Sequence, residues 1–401
     1  MRRDGRVRLA LVDIDSQRWM AGGVYLRNLV YALASLPAAE RPEIQLVGSS
    51  HSRTSLGEEV RRLGLGPADR IAGRETVGRI VALASRLVRG LRGSRQGRHA
   101  TADTERPDIV YPAGFGLEMA DVTPLYWITD FQHAHLPDLF PPAEIDARHR
   151  GIAHIACQNA VLILSSRSAL DDFRRLFPQA VVRPRVWSFC SSFGPDEAGG
   201  ADPRVAHGVP DKFLYVPNQF WAHKDHLTVF RALAILRQKG ITASVVCTGL
   251  EEDFRTPGHF RSLRDYVTRE GLDPSLHFLG QVPRRDQVQI FRRAAAVVQP
   301  SLFEGWSTVV EDTKALGRPL ILSDIPTHRE QAPEMAVFFR AGSPEDLAKV
   351  IEDLWPRLAP GPDPASEQAA RAMSDRRRLE AARTFMGIVH EALERGAGVP
   401  R

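Results

Sequence analysis

Residues that could bind a polar ligand are concentrated in the segment 298–330. A predicted strand leads into a loop, a predicted helix over Val309–Leu316 follows, and the loop and first helical turn hold Glu304, Gly305, Trp306, Ser307, Thr308, Glu311 and Asp312. Ser307 or Thr308 can cap this helix, whose free N–H groups and dipole would attract an anion. A carboxylate can accept hydrogen bonds from neighbouring hydroxyls of a sugar or ribose. The segment alone leaves open whether its acids bind a ligand or only favour a helix start.

Other candidate residues follow three further predicted strands. They are Gly22-Gly23 in the first half, Asp130 with His133 after Leu125–Ile128, and Asn218 with Lys224 after Phe213–Val216. The glycine pair opens a predicted helix, so its N–H groups could meet an anion. Only five of the 53 basic residues are lysine, so generic surface charge explains Lys224 poorly. The strand-end position favours a ligand contact for His133, although lone histidines are usually structural.

Short apolar runs alternate with longer amphipathic runs. Strands are predicted at Arg8–Ile14, Glu43–Val47, Asp108–Tyr111, Leu125–Ile128 and Ala160–Leu164, and again at Phe213–Val216, Ser244–Cys247, Leu276–Leu279, Ala296–Val298 and Pro319–Leu322. Such alternation is typical of parallel sheets with helices on both faces. A stretch rich in Gly, Pro, Asp and Ala separates the two halves and indicates a linker. Because open parallel sheets bind ligands at the carboxyl ends of their strands, the predicted site is a cleft between the halves.

Composition excludes several classes of protein. The chain has 401 residues, 43% of them hydrophobic and 25% charged, as in soluble globular proteins. Three cysteines without a CxxC pair argue against a zinc site or a disulfide framework. No apolar run approaches the ~20 residues of a spanning helix, and the N-terminus is better explained by a strand than by a signal peptide. We therefore expect a cytoplasmic protein, and a peripheral membrane contact stays open.

Basic charge is in modest excess, with a formal net charge of +5. It favours an anionic partner without choosing among phosphate, nucleic acid and lipid headgroups. Arginines recur at every third position from Arg86 to Arg98. No aromatic residue is interleaved to stack on bases, so we interpret this stretch as a solvated loop and expect no nucleic-acid partner.

The segment PSLFEGWSTVVEDTKALGRPLILSDIPTHRE (300–330) resembles the donor-binding signature of GT-B glycosyltransferases, in particular the retaining glycosyltransferase family 4 (group 1). That signature has two glutamates eight residues apart, before a turn with glycine and proline. Glu304 matches the first glutamate, and Gly317 with Pro319 match the turn. Asp312 stands where the family has its second glutamate, and Glu311 lies one position earlier. The resemblance leaves open which of the two would contact the ribose.

Three more segments extend the resemblance over most of the chain. YVPNQFWAHKDH (215–226) is similar to the loop whose basic pair grips the donor diphosphate; Lys224 matches the lysine and Asn218 replaces the arginine. Gly22-Gly23 matches a glycine pair that meets the donor phosphate or the acceptor. WITDFQH (127–133) resembles the loop whose histidine faces the donor sugar, which makes His133 the candidate. Asp130 would then orient this loop or hold an acceptor hydroxyl.

The resemblance implies an α/β protein of the GT-B fold, with two Rossmann-like parallel-sheet domains facing a central cleft. We expect an acceptor-binding domain over 1–195, a linker over 196–210, a donor domain over 211–375, and a helix over 376–401 that packs back towards the N-terminal domain. The implied catalytic residues are His133, Lys224 and Glu304. The implied donor-binding residues are Gly22, Gly23, Asn218, Lys224, Thr248, Gly249, Val282, Glu304, Gly305, Trp306, Ser307, Thr308, Glu311 and Asp312.

The implied reaction moves a sugar from a UDP- or GDP-type nucleotide sugar to a hydroxyl acceptor, with retention and without a metal or other cofactor. The acceptor would be a glycan, a lipid-linked sugar or a small aglycone. A degenerate transferase that only binds a sugar nucleotide, and an epimerase of the same architecture, stay open as alternatives. No GxGxxG follows the first strand, which disfavours a nicotinamide-dependent dehydrogenase. The sequence does not determine the sugar, the base, the acceptor or the oligomeric state.

Overall fold

A computed structural model describes residues 6–12, 20–47, 53–66, 106–114, 122–194, 197, 199–331 and 336–397 of the chain. The end of the first predicted strand and the stretch Arg86–Arg98 lie outside these residues.

The N-terminal domain is built on a six-stranded parallel sheet. Its strands, in the spatial order β2-β1-β3-β4-β5-β6, are β1 Arg8–Val12, β2 Glu43–Val47, β3 Ile109–Ala113, β4 Thr123–Ile128, β5 Val161–Leu164 and β6 Arg183–Val186. Its helices are α1 Met20–Ala34, α2 Arg53–Arg62, α3 Gln132–His135, α4 Pro142–Ala156 and α5 Arg167–Leu176. All four side chains of β5 are buried, as expected for a parallel strand covered on both faces.

A second six-stranded parallel sheet forms the C-terminal domain. Its strands, in the order β12-β11-β10-β7-β8-β9, are β7 Leu214–Val216, β8 Val245–Cys247, β9 Leu276–Phe278, β10 Ala296–Gln299, β11 Leu320–Ser323 and β12 Ala336–Phe339. The helices that follow the linker are α6 Pro203–His207, α7 His226–Gln238, α8 His259–Arg269, α9 Arg284–Arg293, α10 Thr308–Ala315, α11 Pro326–Gln331, α12 Pro344–Leu354 and α13 Pro364–Ala397. Chain order reverses between β7 and β10, so the switch point of the sheet lies there.

The period-two alternation of the strands produces a core on each face of each sheet. Leu9 and Leu11 of β1 pack in one cluster and Ala10 in another. Leu214 and Tyr215 of β7 divide in the same way. The ten strands predicted from apolar runs are therefore confirmed within the described residues, and their ends shift by no more than two residues. Strands β6 and β12 were not predicted. The predicted architecture, α/β with two parallel-sheet domains around a cleft, is also confirmed.

One feature of the chain differs from the elements predicted from the sequence. The stretch expected to be an irregular linker contains helix α6, which Asp202 caps by accepting a hydrogen bond from Arg204 N and which Pro203 opens. Helix α13 begins at Pro364 and returns to the N-terminal domain, where Phe385 contacts the rings of Tyr111 and Trp187. No helix within the described ranges is long and apolar enough to cross a membrane.

Candidate active site

A cavity of about 150 Å³, here called the cleft cavity, lies between the two domains. The N-terminal domain contributes Tyr25, Trp127, Thr129, Asp130, Gln132, Ser165 and Phe189 to its lining, and the C-terminal domain contributes Trp221, His223, Lys224, Phe303, Glu304, Gly305, Trp306 and Thr308. Most of these residues follow the carboxyl ends of β4, β7 and β10. Lys224 follows β7 and Glu304 follows β10, so this pair marks the switch point of the C-terminal sheet.

A second cavity, of about 550 Å³, lies where β6, α5, α11 and α13 meet. Trp306 is the only predicted site residue that lines it. The cleft cavity holds Asp130, Lys224 and Glu304 together, so we place the candidate site there.

The Glu304 carboxylate is held through one of its two oxygens. Oε1 accepts hydrogen bonds from Lys224 Nζ at 2.6 Å, Gln299 Nε2 at 2.7 Å and Ser301 Oγ at 2.7 Å. Burial opposes ionisation of this carboxyl, but Lys224 and the neighbouring histidines outweigh burial and lower the pKa of Glu304 to about 2. Within the described ranges, no hydrogen bond is made to Oε2. Glu304 is thus a fixed anion with one oxygen available to a ligand.

His223 lines the same cavity beside Lys224. Burial, reinforced by the charge of Lys224, lowers the pKa of His223 to about 3, so the imidazole is neutral at physiological pH. A neutral imidazole has one donor and one acceptor nitrogen. The site therefore combines an anion, a cation and a neutral group that can donate or accept.

Asn218 does not line the cleft cavity. It is buried, and its Nδ2 donates to Gln299 Oε1 at 2.9 Å. Gln299 in turn donates to Glu304. Asn218 is thus the outer member of a hydrogen-bond chain that orients Glu304.

The start of α10 is only partly open to a ligand. Ser307 N donates to Gln331 Oε1 at 2.9 Å, and Ser307 Oγ accepts from Val310 N at 3.4 Å. Ser307 therefore caps the helix and is itself buried. Thr308, the first helical residue, lines the cavity.

Both candidates for the ribose contact are held in ion pairs. Glu311, almost fully buried, accepts from Lys314 Nζ and Arg377 at 2.8 Å each, which ties α10 to α13. Asp312 makes a bidentate pair with Arg284 at 2.7 Å for both contacts. Neither acid lines the cleft cavity.

The loop after β4 brings Asp130 and Gln132 to the cavity but not His133. Asp130 Oδ1 accepts from Gln132 N at 2.9 Å, which fixes the loop at the start of α3. His133 is 1% exposed and packs against the rings of Phe140 and His149. Burial, with the charges of His149 and Arg148, lowers the pKa of His133. The expected contact of His133 with a sugar stays a prediction.

The remaining predicted donor residues lie at strand ends or in a helix start. Gly22 and Gly23 lie in the first turn of α1. Thr248 follows β8 and its hydroxyl pairs with Tyr215 at 2.6 Å, whereas Val282 lies just beyond β9 and is half-buried. Gly249 has φ 148° and a Cβ there would lie 2.2 Å from Asn218 O, so only glycine fits. None of these residues lines the cleft cavity.

Gly305 allows the two domains to approach closely. A Cβ at this position would lie 2.6 Å from Thr129 O and 2.8 Å from the Asp130 Cβ. The next residue, Trp306, donates its Nε1 proton to Phe189 O at 3.0 Å. Farther along the junction, Glu330 accepts from the N–H groups of Arg167 at 2.8 Å and Ser168 at 3.2 Å. The structure is therefore a closed arrangement of the domains.

Several site residues were not identified from the sequence. Gln299 and Ser301 hold Glu304, and Trp127, Gln132, Ser165, Trp221, His223 and Phe303 line the cavity. The available signal was position, since Gln299 is the last residue of the buried strand β10 and Ser301 lies two residues beyond it. Among the described residues, no three His, Cys, Asp or Glu side chains are grouped so that they could hold a metal ion. The expectation that no metal is needed stays a prediction.

Much of the C-terminal half of the chain is similar in sequence to glycosyltransferases. Residues 203–356 match the family model described as "Glycosyl transferases group 1". The chain is 29% identical over 96 residues to the serotype-specific mannosyltransferase WbdA of Escherichia coli, covering 24% of this chain and 12% of that protein. It is 27% identical over 184 residues to the protein EpsF of Bacillus subtilis (strain 168), covering 43% of this chain and 46% of EpsF. The chain thus spans less than half the length of either curated relative.

Solved structures resemble the whole chain. Sucrose-phosphate synthase (tll1590) from Thermosynechococcus elongatus superposes with a TM-score of 0.63 at 16% identity, over 98% of both chains. Alr3699/HepE from Anabaena, solved in complex with UDP-glucose, superposes with a TM-score of 0.64 at 14% identity, over 96% of this chain and 99% of that one. At such low identity these likenesses concern the fold alone. They confirm the predicted GT-B fold.

Proposed function

We propose that the chain transfers a sugar from a nucleotide-diphosphate sugar to a hydroxyl acceptor, with retention of the anomeric configuration. The observation that carries this proposal is the Lys224–Glu304 pair at the switch point of the C-terminal sheet, facing the cleft cavity between the domains. The group 1 match over 203–356 covers both residues and supports the same function.

Lys224 is proposed to bind the donor diphosphate. Breaking the bond between the sugar C1 and the diphosphate oxygen leaves negative charge on the phosphate, and a positioned ammonium stabilises that charge. Lys224 has three N–H donors, one of which contacts Glu304. The other two can reach phosphate oxygens without breaking the pair.

Glu304 is proposed to accept a hydrogen bond from a sugar hydroxyl through Oε2. Its low pKa keeps the carboxylate ionised throughout the physiological range. The neutral His223 supplies a further hydrogen bond on the same side of the cavity. A fixed anion and an uncharged imidazole suit a polyhydroxylated ring better than a second phosphate.

The N-terminal side of the cavity is proposed to hold the acceptor hydroxyl. Asp130, Gln132 and Ser165 offer polar atoms there, beside the aromatic rings of Trp127 and Phe189. Glu304 is paired with Lys224 through Oε1 and its Oε2 is assigned to a sugar hydroxyl, so we propose no side-chain nucleophile. The acceptor oxygen forms the new bond to C1 on the face that the diphosphate leaves, and its proton passes to that diphosphate.

A nucleotide-sugar-binding protein without turnover is the second candidate. The observation that favours it is the pairing of both acids at the ribose position, Glu311 with Arg377 and Asp312 with Arg284. Such a protein would bind the donor and release neither nucleotide nor sugar.

Donor consumption separates these candidates. UDP-glucose, mannosyl donors and a wider panel of nucleotide sugars are incubated with the protein, with and without pooled hydroxyl acceptors, and released nucleotide is measured by chromatography. Acceptor-dependent release supports the transferase, and binding without release supports the second candidate. Conversion of the donor into a different nucleotide sugar, with no release of nucleotide and no acceptor, would indicate an epimerase. Proton NMR of the product reports the anomeric configuration, and a repeat with EDTA tests the proposed metal independence.

A cytoplasmic location with peripheral membrane contact belongs to the same proposal. Fractionation of cells that produce the chain, with and without a high-salt wash of the membranes, tests it.

A further inference from the structure

We propose that Arg255 is a positioning residue that fastens the two domains over the bound donor, and that Asp253 couples this fastening to Lys224. The inference rests on the proposed function. It concerns residues Leu250–Gly258, here called the clasp loop, which connects β8 to α8 of the C-terminal domain.

The clasp loop reaches across the cleft through one side chain. The Arg255 guanidinium carbon lies 4.4 Å from the centroid of the Phe140 ring, and Nη2 lies 3.4 Å from Glu144 Oε1. Both partners belong to the N-terminal domain, directly before α4 and in its first turn. A guanidinium over an aromatic ring is attracted by the ring's quadrupole, and more strongly when water is excluded. The Arg255 side chain is only 14% exposed.

A second arginine, from the N-terminal domain itself, contacts both partners of Arg255. Arg148 donates to Glu144 Oε1 from Nε at 3.1 Å and from Nη2 at 3.0 Å. Its guanidinium also lies 5.1 Å from the centroid of the Phe140 ring. Phe140 and Glu144 therefore form a fixed receptor for the C-terminal guanidinium.

Asp253 joins the clasp loop to the turn that carries Lys224. Its Oδ2 accepts from Ala222 N at 2.9 Å, and Ala222 begins the 3₁₀ turn that ends at Lys224. Its Oδ1 accepts from Arg255 N at 2.9 Å and Thr256 N at 3.3 Å. One buried carboxylate thus fixes both the domain contact and the lysine turn.

The contact of Arg255 with Phe140 and Glu144, here called the clasp, is poorly explained as a stabiliser of the fold. The neighbouring Phe254 is 63% exposed, and Glu251 and Glu252 are exposed as well. A single ion contact near a surface contributes little to the free energy of unfolding. Closure of a cleft excludes water that would hydrolyse the donor. An arginine that spans the cleft should therefore affect the rate of transfer and the extent of donor hydrolysis more than the stability of the fold.

Three single variants test the clasp: Arg255→Ala, Arg255→Lys, and Arg269→Ala as a matched control. Arg269 is an exposed arginine of α8 that stacks on Tyr266 at 5.2 Å. We expect Arg255→Ala to lower kcat for transfer roughly tenfold and to raise the share of donor lost to hydrolysis, with Kd for UDP unchanged within about twofold. Arg255→Lys should recover part of kcat, because an ammonium keeps the attraction to the Phe140 ring. Arg269→Ala should behave as the wild type.

A fourth variant separates the two halves of the proposal. Asp253→Asn places an amide N–H₂ where one backbone N–H now donates, so one end of the coupling is lost. If Asp253 positions Lys224, this variant should weaken UDP binding roughly fivefold by calorimetry, which corresponds to the loss of about one hydrogen bond. Arg255→Ala should leave UDP binding unchanged. Unchanged UDP binding in Asp253→Asn would overturn the coupling.

Two results would overturn the clasp itself: wild-type kcat with wild-type hydrolysis in Arg255→Ala, or an equal loss in Arg269→Ala. Small-angle scattering keeps the test independent of turnover. The radius of gyration of Arg255→Ala should exceed that of both the wild type and Arg269→Ala, and equal values would contradict the clasp. If the wild-type protein consumes no nucleotide sugar, the proposed function fails, and scattering still decides whether Arg255 holds the domains together.

Discussion

Substitution of Glu304 by glutamine should have opposite effects on two ligands. Glu304→Gln keeps the shape of the side chain and an oxygen that can accept from Lys224, Gln299 and Ser301. It replaces the ionised oxygen facing the cavity with a donor amide. A nucleotide sugar then loses its acceptor for a sugar hydroxyl. A nucleoside diphosphate without a sugar should bind more tightly, because Lys224 no longer shares its charge with a carboxylate.

The magnitudes follow from the contacts of Glu304. A hydrogen bond to a charged group contributes about 1.5–3 kcal/mol, so kcat/KM should fall roughly 10- to 150-fold at about 1.4 kcal/mol per tenfold change. The Kd for UDP or GDP should stay constant or fall by up to about tenfold, since the Lys224 contact at 2.6 Å is released. The free energy of unfolding should fall by about 1–3 kcal/mol, less than for removal of a fully buried partner because Lys224 is 16% exposed.

Calorimetry with the nucleotide and steady-state kinetics with the nucleotide sugar measure both effects. Ser301→Ala is the matched control, because it removes one 2.7 Å donor to Oε1 and keeps the carboxylate and Lys224. Its effect on either ligand should stay within about fivefold, because Lys224 and Gln299 still hold Oε1 and neither ligand contacts Ser301 directly. A parallel loss of UDP and sugar-nucleotide affinity in Glu304→Gln, or wild-type kcat/KM, would refute the assigned role of Oε2.

Three more outcomes are expected. Lys224→Ala should weaken binding of UDP or GDP roughly 10- to 100-fold by calorimetry, since charge-assisted contacts are lost. Wild-type affinity in this variant would contradict the proposed contact between Lys224 and the diphosphate. Gly305→Ala should lower transfer roughly 100-fold, because its Cβ would lie 2.6 Å from Thr129 O and displace the domains; unchanged turnover would show that the closed arrangement is not required. Burial lowers the pKa of His223 and of His226 to about 3, below the usual value near 6.5. The unfolded chain therefore binds their protons first, and stability should fall by about 1.4 kcal/mol per pH unit for each histidine as pH drops from about 6 to 4. Urea unfolding at several pH values should show a shallower dependence for His226→Gln, and an identical slope would contradict the neutral state.

Ten of the twelve strands in the described residues, and the two-domain architecture, could be predicted because their signal is local. Runs such as Val161–Leu164 are apolar throughout and need no information from elsewhere in the chain. Several helices were not predicted. Among them, α4 begins among prolines, and α9 holds four arginines beside the buried Val288, Ile290 and Phe291. Their faces are buried by contacts with residues far along the chain, so tertiary packing determined them.

The centre of the site could be identified, and its surroundings could not. Glu304 and Lys224 were found because each belongs to a recognisable short motif at a strand end. The pairing of Glu311 with Arg377 joins residues 66 apart, and that of Asp312 with Arg284 joins residues 28 apart. Likewise, Asn218 orients Gln299 across 81 residues. Such side-chain pairs depend on the folded arrangement of the helices, which no local pattern specifies.

The most direct test of the account is a crystal structure of the protein soaked with the nucleotide sugar that binds best. We expect the diphosphate within about 3 Å of Lys224 Nζ, near the start of α10, with a sugar hydroxyl on Glu304 Oε2. A nucleotide seated in the cavity between Trp187 and Thr384, or no binding of any nucleotide sugar at millimolar concentration, would contradict it.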